Sequence, residues 1–373
     1  MNNDNQLFKL IKAAMGFSIV ASLLMSVSAS EQGAGLTHVV SNMPANSWLE
    51  IPNSRLDSVA ADARKYPNVQ GYEGIYGING YSGAVFDSKR NRLVIWGGGH
   101  EDYQGNEVYV FDTDTLAWER LTDPSEPNLD KQVNSDGTPN SRHTYNGMAY
   151  IEHADKLFSS GGSLAGEGSC GADKTWVFDF NSIQWTDMNP SKAPNTNCEN
   201  ICAYDPETQK VWWFDVPGLW SYHYDTNKWH QHNEDYVTSR TAVMDTKRGA
   251  LVVIGQGEVI AYNIRAGDYN QQLWDTSGGD SFIGSWAPGL AYDPVNDRIV
   301  GWSGKSVYAL NPETKVWTQH NATGAPIYPS ETNGDDQGLY GLWRYVPNLN
   351  AFIVMTRTDT NIHFYKLTAG SGE

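Results

Sequence analysis

Ala84-Val85-Phe86-Asp87-Ser88-Lys89-Arg90-Asn91 is a short apolar strand running into a polar turn, and a second apolar strand follows it. The same unit recurs along the chain, with copies beginning near Ser82, Asn146, Asn200, Arg240, Pro288 and Gly341. In five copies a turn fragment occupies the same place. Besides Asp87 to Asn91 these are Asp205-Pro206-Glu207-Thr208-Gln209, Asp245-Thr246-Lys247-Arg248-Gly249, Asp293-Pro294-Val295-Asn296-Asp297 and Val346-Pro347-Asn348-Leu349-Asn350. Asp, Asn, Pro and Gly are the residues that tight turns demand, so each unit reads as a hairpin. The steps between copies are 64, 54, 40, 48 and 53 residues. A repeat of about 50 residues built from short strands points to radially arranged blades rather than to a sandwich.

Aromatic residues nine apart give an independent register. Tyr109/Trp118, Trp176/Trp185, Trp220/Trp229 and Tyr308/Trp317 mark the third and fourth strands of four units. Glycine follows the second strand, as Gly97-Gly98-Gly99, Gly161-Gly162, Gly255 and Gly304. These glycines and spaced aromatics resemble kelch-repeat β-propellers of the galactose oxidase central-domain type, over roughly Trp48 to Leu367. The resemblance implies an all-β chain folded as a six-bladed propeller; a seventh blade would need a hidden repeat between Arg55 and Gly80. The sixth copy lacks a fourth strand after Phe364-Tyr365-Lys366-Leu367, and Asn46-Ser47-Trp48-Leu49-Glu50-Ile51 looks like the fourth strands of other copies. The N-terminal strand is therefore expected to complete the last blade and hide the sheet edges that an open array exposes. Leu56 to Lys65 is the one stretch after residue 30 with helical character.

Composition bounds the partners. The 373 residues carry 26 basic and 43 acidic side chains, a net charge of −17, with 40% hydrophobic residues and 14 Trp. Disorder, collagen and coiled coil are excluded, and nucleic acid and anionic membrane are poor partners. Lys9 and Lys12 precede an apolar run from Ala13 to Val27, and Val27-Ser28-Ala29 offers the small residues of a leader cleavage site. Residues 1–29 are read as a signal peptide and 30–373 as a single propeller domain, periplasmic or secreted, with no membrane span after cleavage and expected as a monomer. Cys170, Cys198 and Cys202 are an odd number for an oxidising compartment, so one disulfide and one free thiol are expected. Cys170 with Cys198 is favoured because both fall in loops on one face of adjacent blades; Cys198 with Cys202 is the rival. No Cys-x-x-Cys or bracketing His pair suggests zinc, and no loop has calcium-site spacing, so no metal or cofactor is expected.

In a propeller blade, the loop entering the first strand and the loop joining strands two and three open on the same face. The sharpest candidates there are Ser141-Arg142-His143-Thr144-Tyr145-Asn146 and Gly99-His100-Glu101-Asp102-Tyr103-Gln104-Gly105-Asn106. His143, Tyr145 and His100 supply acid and base groups, and Arg142 and Arg240 could neutralise a carboxylate whose charge grows during proton removal. Tyr81, Tyr103, Asn106, Trp286, Tyr340 and Arg344 are the candidates for holding a sugar. The arrangement resembles ulvan-type polysaccharide lyases, which implies a polysaccharide or oligosaccharide ligand and β-elimination at a uronate. In that scheme His143 or Tyr145 takes the C5 proton and the partner protonates the leaving oxygen. Two other classes use the same face: a non-catalytic glycan-binding or scaffold propeller, and a sugar epimerase or mutarotase. Glu101/Asp102 with Glu199 could also serve a glycoside hydrolase.

Overall fold

The computed structural model describes residues 38–71, 74–166, 170–195, 198–215, 218–304, 306–327 and 338–370. The expected leader, 1–29, lies outside them. Strand β1 (Ser47–Glu50) comes first. Blade one follows, with β2 (Ala84–Asp87), β3 (Arg92–Ile95), β4 (Tyr109–Asp112) and β5 (Ala117–Arg120). A two-residue ribbon strand β6 (Arg142–His143) precedes blade two, which contains β7 (Met148–Ile151) and β8 (Lys156–Ser160), then the ribbon partner β9 (Ser163–Leu164), then β10 (Thr175–Asp179) and β11 (Gln184–Asp187). Blade three is β12 (Ile201–Asp205), β13 (Lys210–Asp215), β14 (Gly218–His223) and β15 (Lys228–Gln231); blade four is β16 (Thr241–Asp245), β17 (Ala250–Gly255), β18 (Glu258–Asn263) and β19 (Asp268–Leu273). Blade five is β20 (Gly289–Asp293), β21 (Arg298–Trp302), β22 (Val307–Asn311) and β23 (Val316–His320), and blade six is β24 (Trp343–Val346), β25 (Ala351–Val354) and β26 (His363–Lys366).

Each blade is a four-stranded antiparallel meander, and β1 supplies the outer strand of blade six in the order β1-β26-β25-β24. Its register sets Ser47 opposite Lys366 and Glu50 opposite His363. Trp48 locks it, its ring 5.0 Å from Tyr365 and 5.3 Å from Trp302 of blade five. The first strands pack in the cycle β2, β7, β12, β16, β20, β24 and back to β2, so the ring is closed with six blades. Between Arg55 and Gly80 the described residues form no strand, which removes the seventh-blade alternative. Only Leu56–Val59, a single 3-10 turn, realises the helical stretch, and a second 3-10 helix spans Gly74–Asn79.

Strand alternation explains why the inner strands are apolar throughout. Successive side chains point to opposite faces, so Leu93 and Ile95 of β3 enter the core shared with blade six, while Val94 and Trp96 enter the core shared with blade two. Both faces of a blade are therefore interior. The repeat aromatics fall where the spacing put them: Trp118, Trp185, Trp229 and Trp317 lie on outer strands opposite Phe111, Phe178, Tyr222 and Leu310.

The hairpin between strands one and two carries a recurring tie. Tyr150, Tyr292 and Tyr345 each donate a hydroxyl at 3.0 Å to the side chain five residues on, Asp155, Asp297 and Asn350. Those three acceptors all sit at positive φ, a conformation that Asp and Asn tolerate better than most residues.

Candidate functional site

At the face opposite these hairpins, the chain enters five of the six first strands through a residue in the left-handed region. Tyr81, Tyr145, Ser239, Ala287 and Tyr340 have φ of 47°, 48°, 56°, 34° and 44°. None is glycine, so each conformation costs roughly 1–2 kcal/mol and has to be held by its surroundings. The holding is visible as a backbone belt: Tyr145 N–H donates to Tyr81 O at 2.8 Å, Ala287 N–H to Ser239 O at 3.2 Å, and Tyr340 N–H to Ala287 O at 3.0 Å. The turn gathers aromatic side chains at the mouth of the ring. Tyr145 and Tyr340 meet edge to face at 5.5 Å, and Trp286 donates its indole N–H to the Tyr340 hydroxyl at 3.1 Å.

His143 stands beside this cluster. Its ring lies 5.1 Å from Tyr81, 5.9 Å from Tyr145 and 5.9 Å from His100. It is 5% exposed, and its Nε2 lies 2.7 Å from Asp102 Oδ2. An ionised carboxylate only accepts, so Nε2 carries the hydrogen and Nδ1 presents its lone pair. Nδ1 has no hydrogen-bond partner among the described residues. Burial pushes the His143 pKa below its ordinary value, against the upward pull of Asp102.

Glycines make this pairing sterically possible. The ribbon β6–β9 sets His143 opposite Ser163 and threads it between two glycine backbones. A Cβ on Gly99 would lie 2.1 Å from His143 N, and one on Gly162 would lie 2.3 Å from His143 O. Asp102 is seated the same way, because a Cβ on Gly71 or Gly77 would fall 2.3 or 2.6 Å from its carbonyl oxygen. Gly71, Gly74, Gly77 and Gly80 recur every third residue, the period of the 3-10 helix that runs from Gly74 to Asn79. That period is the signal that singles out Asp102 within the candidate loop Gly99 to Asn106, where its residue type alone makes it one of two adjacent carboxylates.

Cys170 and Cys198 are joined by a disulfide with Cα atoms 4.8 Å apart, and Cys202 is a buried free thiol. Cys198 packs against the cluster of Tyr145, Ala287 and Tyr340, with Tyr81 and Trp286 beside it. Glu199 accepts a short hydrogen bond from Ser239 at the same edge.

Several expected site residues have other duties. Arg142 is fully buried and spends Nε, Nη1 and Nη2 on the carbonyls of Asn140, Gly161 and Gln132, with its guanidinium 5.6 Å from the Trp96 ring. It braces the ribbon and offers nothing to a substrate carboxylate. Tyr103 is buried too, donating at 2.6 Å to Glu107, whose carboxyl burial pushes above its ordinary value. Asn106 is consumed by Ser125, Thr138 and the Pro139 carbonyl. Arg240 pairs with Glu258 at 2.6 Å and also donates to the carbonyls of Gly255 and Thr238. Arg344, on the first strand of blade six, lines the axial channel. The structure thus brings together His143, His100, Tyr81, Tyr145, Tyr340 and Trp286, and leaves Arg142, Tyr103, Asn106, Arg240 and Arg344 out of that cluster. Among the described residues no group of three or more His, Cys, Asp or Glu is placed to hold a metal ion, and no helix is long and apolar enough to cross a membrane.

No protein-family model and no curated protein matches the chain. Similar solved structures include the crystal structure of a nidogen/laminin complex, 11% identical with a TM-score of 0.43, the match covering 64% of this chain and 78% of that one. Another is an auxiliary nutrient binding protein from Bacteroides thetaiotaomicron VPI-5482, 10% identical with a TM-score of 0.48, covering 77% of this chain and 69% of that one. Neither carries an argument about activity. The propeller rests on the strand order above.

Proposed function

We propose that the mouth is a carbohydrate site at which His143 acts as a general base, within an exported propeller of kelch type. The observation that carries this is the 2.7 Å contact between His143 Nε2 and Asp102, which leaves a basic Nδ1 in an aromatic surround suited to a sugar ring. A neutral, desolvated imidazole oriented by a carboxylate is the arrangement general-base catalysis requires. The disulfide supports an oxidising compartment, periplasmic or extracellular.

The charges around the mouth favour a neutral sugar over a uronate. Arg142 and Arg240 are engaged elsewhere and Arg344 lies on the axial channel, while Asp102 and Glu199 are acidic, and the chain as a whole carries −17. Abstracting a proton beside a carboxylate needs a cation or strong donor to stabilise the enolate. Opening a sugar ring needs only a base and an acid. His143 would take the anomeric hydroxyl proton while the bond from C1 to the ring oxygen breaks, and a hydroxyl of Tyr81 or Tyr145 would protonate that oxygen. Closing on the other face of the carbonyl returns both protons, which is mutarotation.

The test is anomer exchange, followed by NMR on neutral and acidic monosaccharides, run beside ultraviolet detection of unsaturated uronates released from polysaccharides. Exchange catalysed by the native protein and reduced about 10²–10⁴-fold in His143→Ala is the expected result. A rise in absorbance that His143→Ala lacks would restore β-elimination. Sugar binding without either activity would make the propeller a glycan-binding module.

A further inference from the structure

A second space lies on the axis of the ring, separate from the mouth. A cavity of about 320 Å³ runs between the six first strands and is bordered at the hairpin face by Glu152, Pro206 and Pro347. Ala149, Ala203, Ala242 and Ala291 stand on its walls; four small side chains from four successive blades keep it open. Its volume is within the range of small-molecule sites.

One residue makes this space chemically unusual. Among the described residues, Arg344 is the only cation on the lining, and Glu152, at the hairpin edge, is the only carboxylate. Nε of Arg344 donates to the Ala84 carbonyl at 2.8 Å, and Nη2 donates to the same oxygen. No carboxylate pairs with it, and Nη1 has no protein acceptor among the described residues. Arg142 shows what a structural arginine does in this fold: its three nitrogens reach three different carbonyls. Arg344 is partly buried, and a cation held half out of water with no counter-charge is costly to keep, whereas a neutral donor would serve to hold one carbonyl. Cys202, also on the lining, is not the missing anion, because burial pushes its thiol up to about 12. Burial lowers Arg344 only to about 10, so it stays charged at neutral pH.

We propose that the axial channel binds a small carboxylate with an apolar body, entering from the hairpin face with its carboxylate on Arg344. The alanines give the body an apolar wall, and the guanidinium gives the carboxylate a charge-assisted hydrogen bond.

Titration calorimetry on the whole mature protein tests this with benzoate and hexanoate as probes, and benzamide and hexanamide as their neutral counterparts. At least one acid is expected to bind tenfold or more tightly than its amide. Arg344→Met should erase that preference. Because Arg344 also holds Ala84, a second variant is needed: Ala203→Phe fills the channel from β12 without touching the guanidinium, and should abolish binding while the thermal midpoint stays near that of the native protein. His143→Ala should bind as the native protein does, which separates this site from the mouth. Failure of both acids to bind, equal binding of acid and amide, or undiminished binding in a folded Ala203→Phe protein would each overturn the proposal.

Discussion

Arg90 in the first hairpin of blade one grips Asp155 in the first hairpin of blade two, Nη1 at 2.6 Å from Oδ1 and Nη2 at 2.7 Å from Oδ2. Lys89 adds a contact at 2.7 Å. Blades four and five repeat the device, with Arg248 bidentate on Asp297 at 2.7 Å and Lys247 beside it. The Lys-Arg pair occupies the same turn position in both copies, so a surface turn motif becomes a clasp between neighbouring blades.

These clasps predict acid sensitivity. Arg90 and Arg248 hold Asp155 and Asp297 below the usual carboxylate range. A carboxylate depressed in the fold contributes stability that is present above its unfolded pKa of about 4 and is lost as pH falls through the folded value. Asp155→Asn and Asp297→Asn should each cost about 2 kcal/mol at pH 7, and the double variant should lose stability less steeply than the native protein below about pH 4. Denaturant unfolding across that range measures it; parallel pH dependences would show that the clasps are not the acid-labile element.

The His143 pair predicts an opposite assignment of proton and charge. Its folded pKa is lowered by burial, so protonation opposes folding: the contribution is complete above the ordinary histidine value of about 6.5 and declines as pH drops toward the folded one. Any His143-dependent activity should fall on the same acid limb. Asp102→Asn removes the upward pull, so the imidazole titration followed by NMR should move lower still. If Asp102→Asn leaves that titration in place, the 2.7 Å contact does not act in solution.

Gly77→Ala should separate positioning from chemistry. The φ of Gly77 is not in the left-handed region, so the clash with Asp102 is the main cost. Pushing the 99–103 loop outward should shift the His143 titration as Asp102→Asn does, while the fold survives. Gly267→Ala, far from the mouth with nothing close to its Cβ, is the strain control, since its φ of 73° is itself unfavourable to alanine.

Thiol counting checks the cysteines. Native oxidised protein should react with no thiol reagent, because Cys202 is buried, and unfolded oxidised protein should show one thiol. Reducing Cys170–Cys198, which are 28 residues apart, should cost about 3.6 kcal/mol on the loop-entropy account. It should also weaken any sugar binding at the proposed site, since Cys198 packs against the aromatic cluster. Unchanged binding after reduction would show that the disulfide serves the loop alone.

The repeat made the ring legible, because turn chemistry and alternation act locally and recur. The mouth was only partly legible. Position in a loop says which face a residue approaches and not where its side chain goes. Tyr81, Tyr145 and Tyr340 adopt left-handed backbone that no residue-type rule predicts for tyrosine, and so gather inward. Arg142 illustrates the converse: as a member of the ribbon it is enclosed by β9 and turned onto Trp96. Tyr103 turns inward because its partner, Glu107, is itself buried, a pairing that depends on how the loop folds over blade one.

The closure by β1 has a consequence for how the protein comes into being. Ser47–Glu50 is made 313 residues ahead of its partner strand His363–Lys366, counting from Glu50 to His363. Until that moment the nascent chain holds an incomplete circle with two raw edges and an unclaimed Trp48. Removal of either strand should therefore give the same outcome, a propeller that cannot shut, and the interval before shutting is when the chain most needs protection from its own copies.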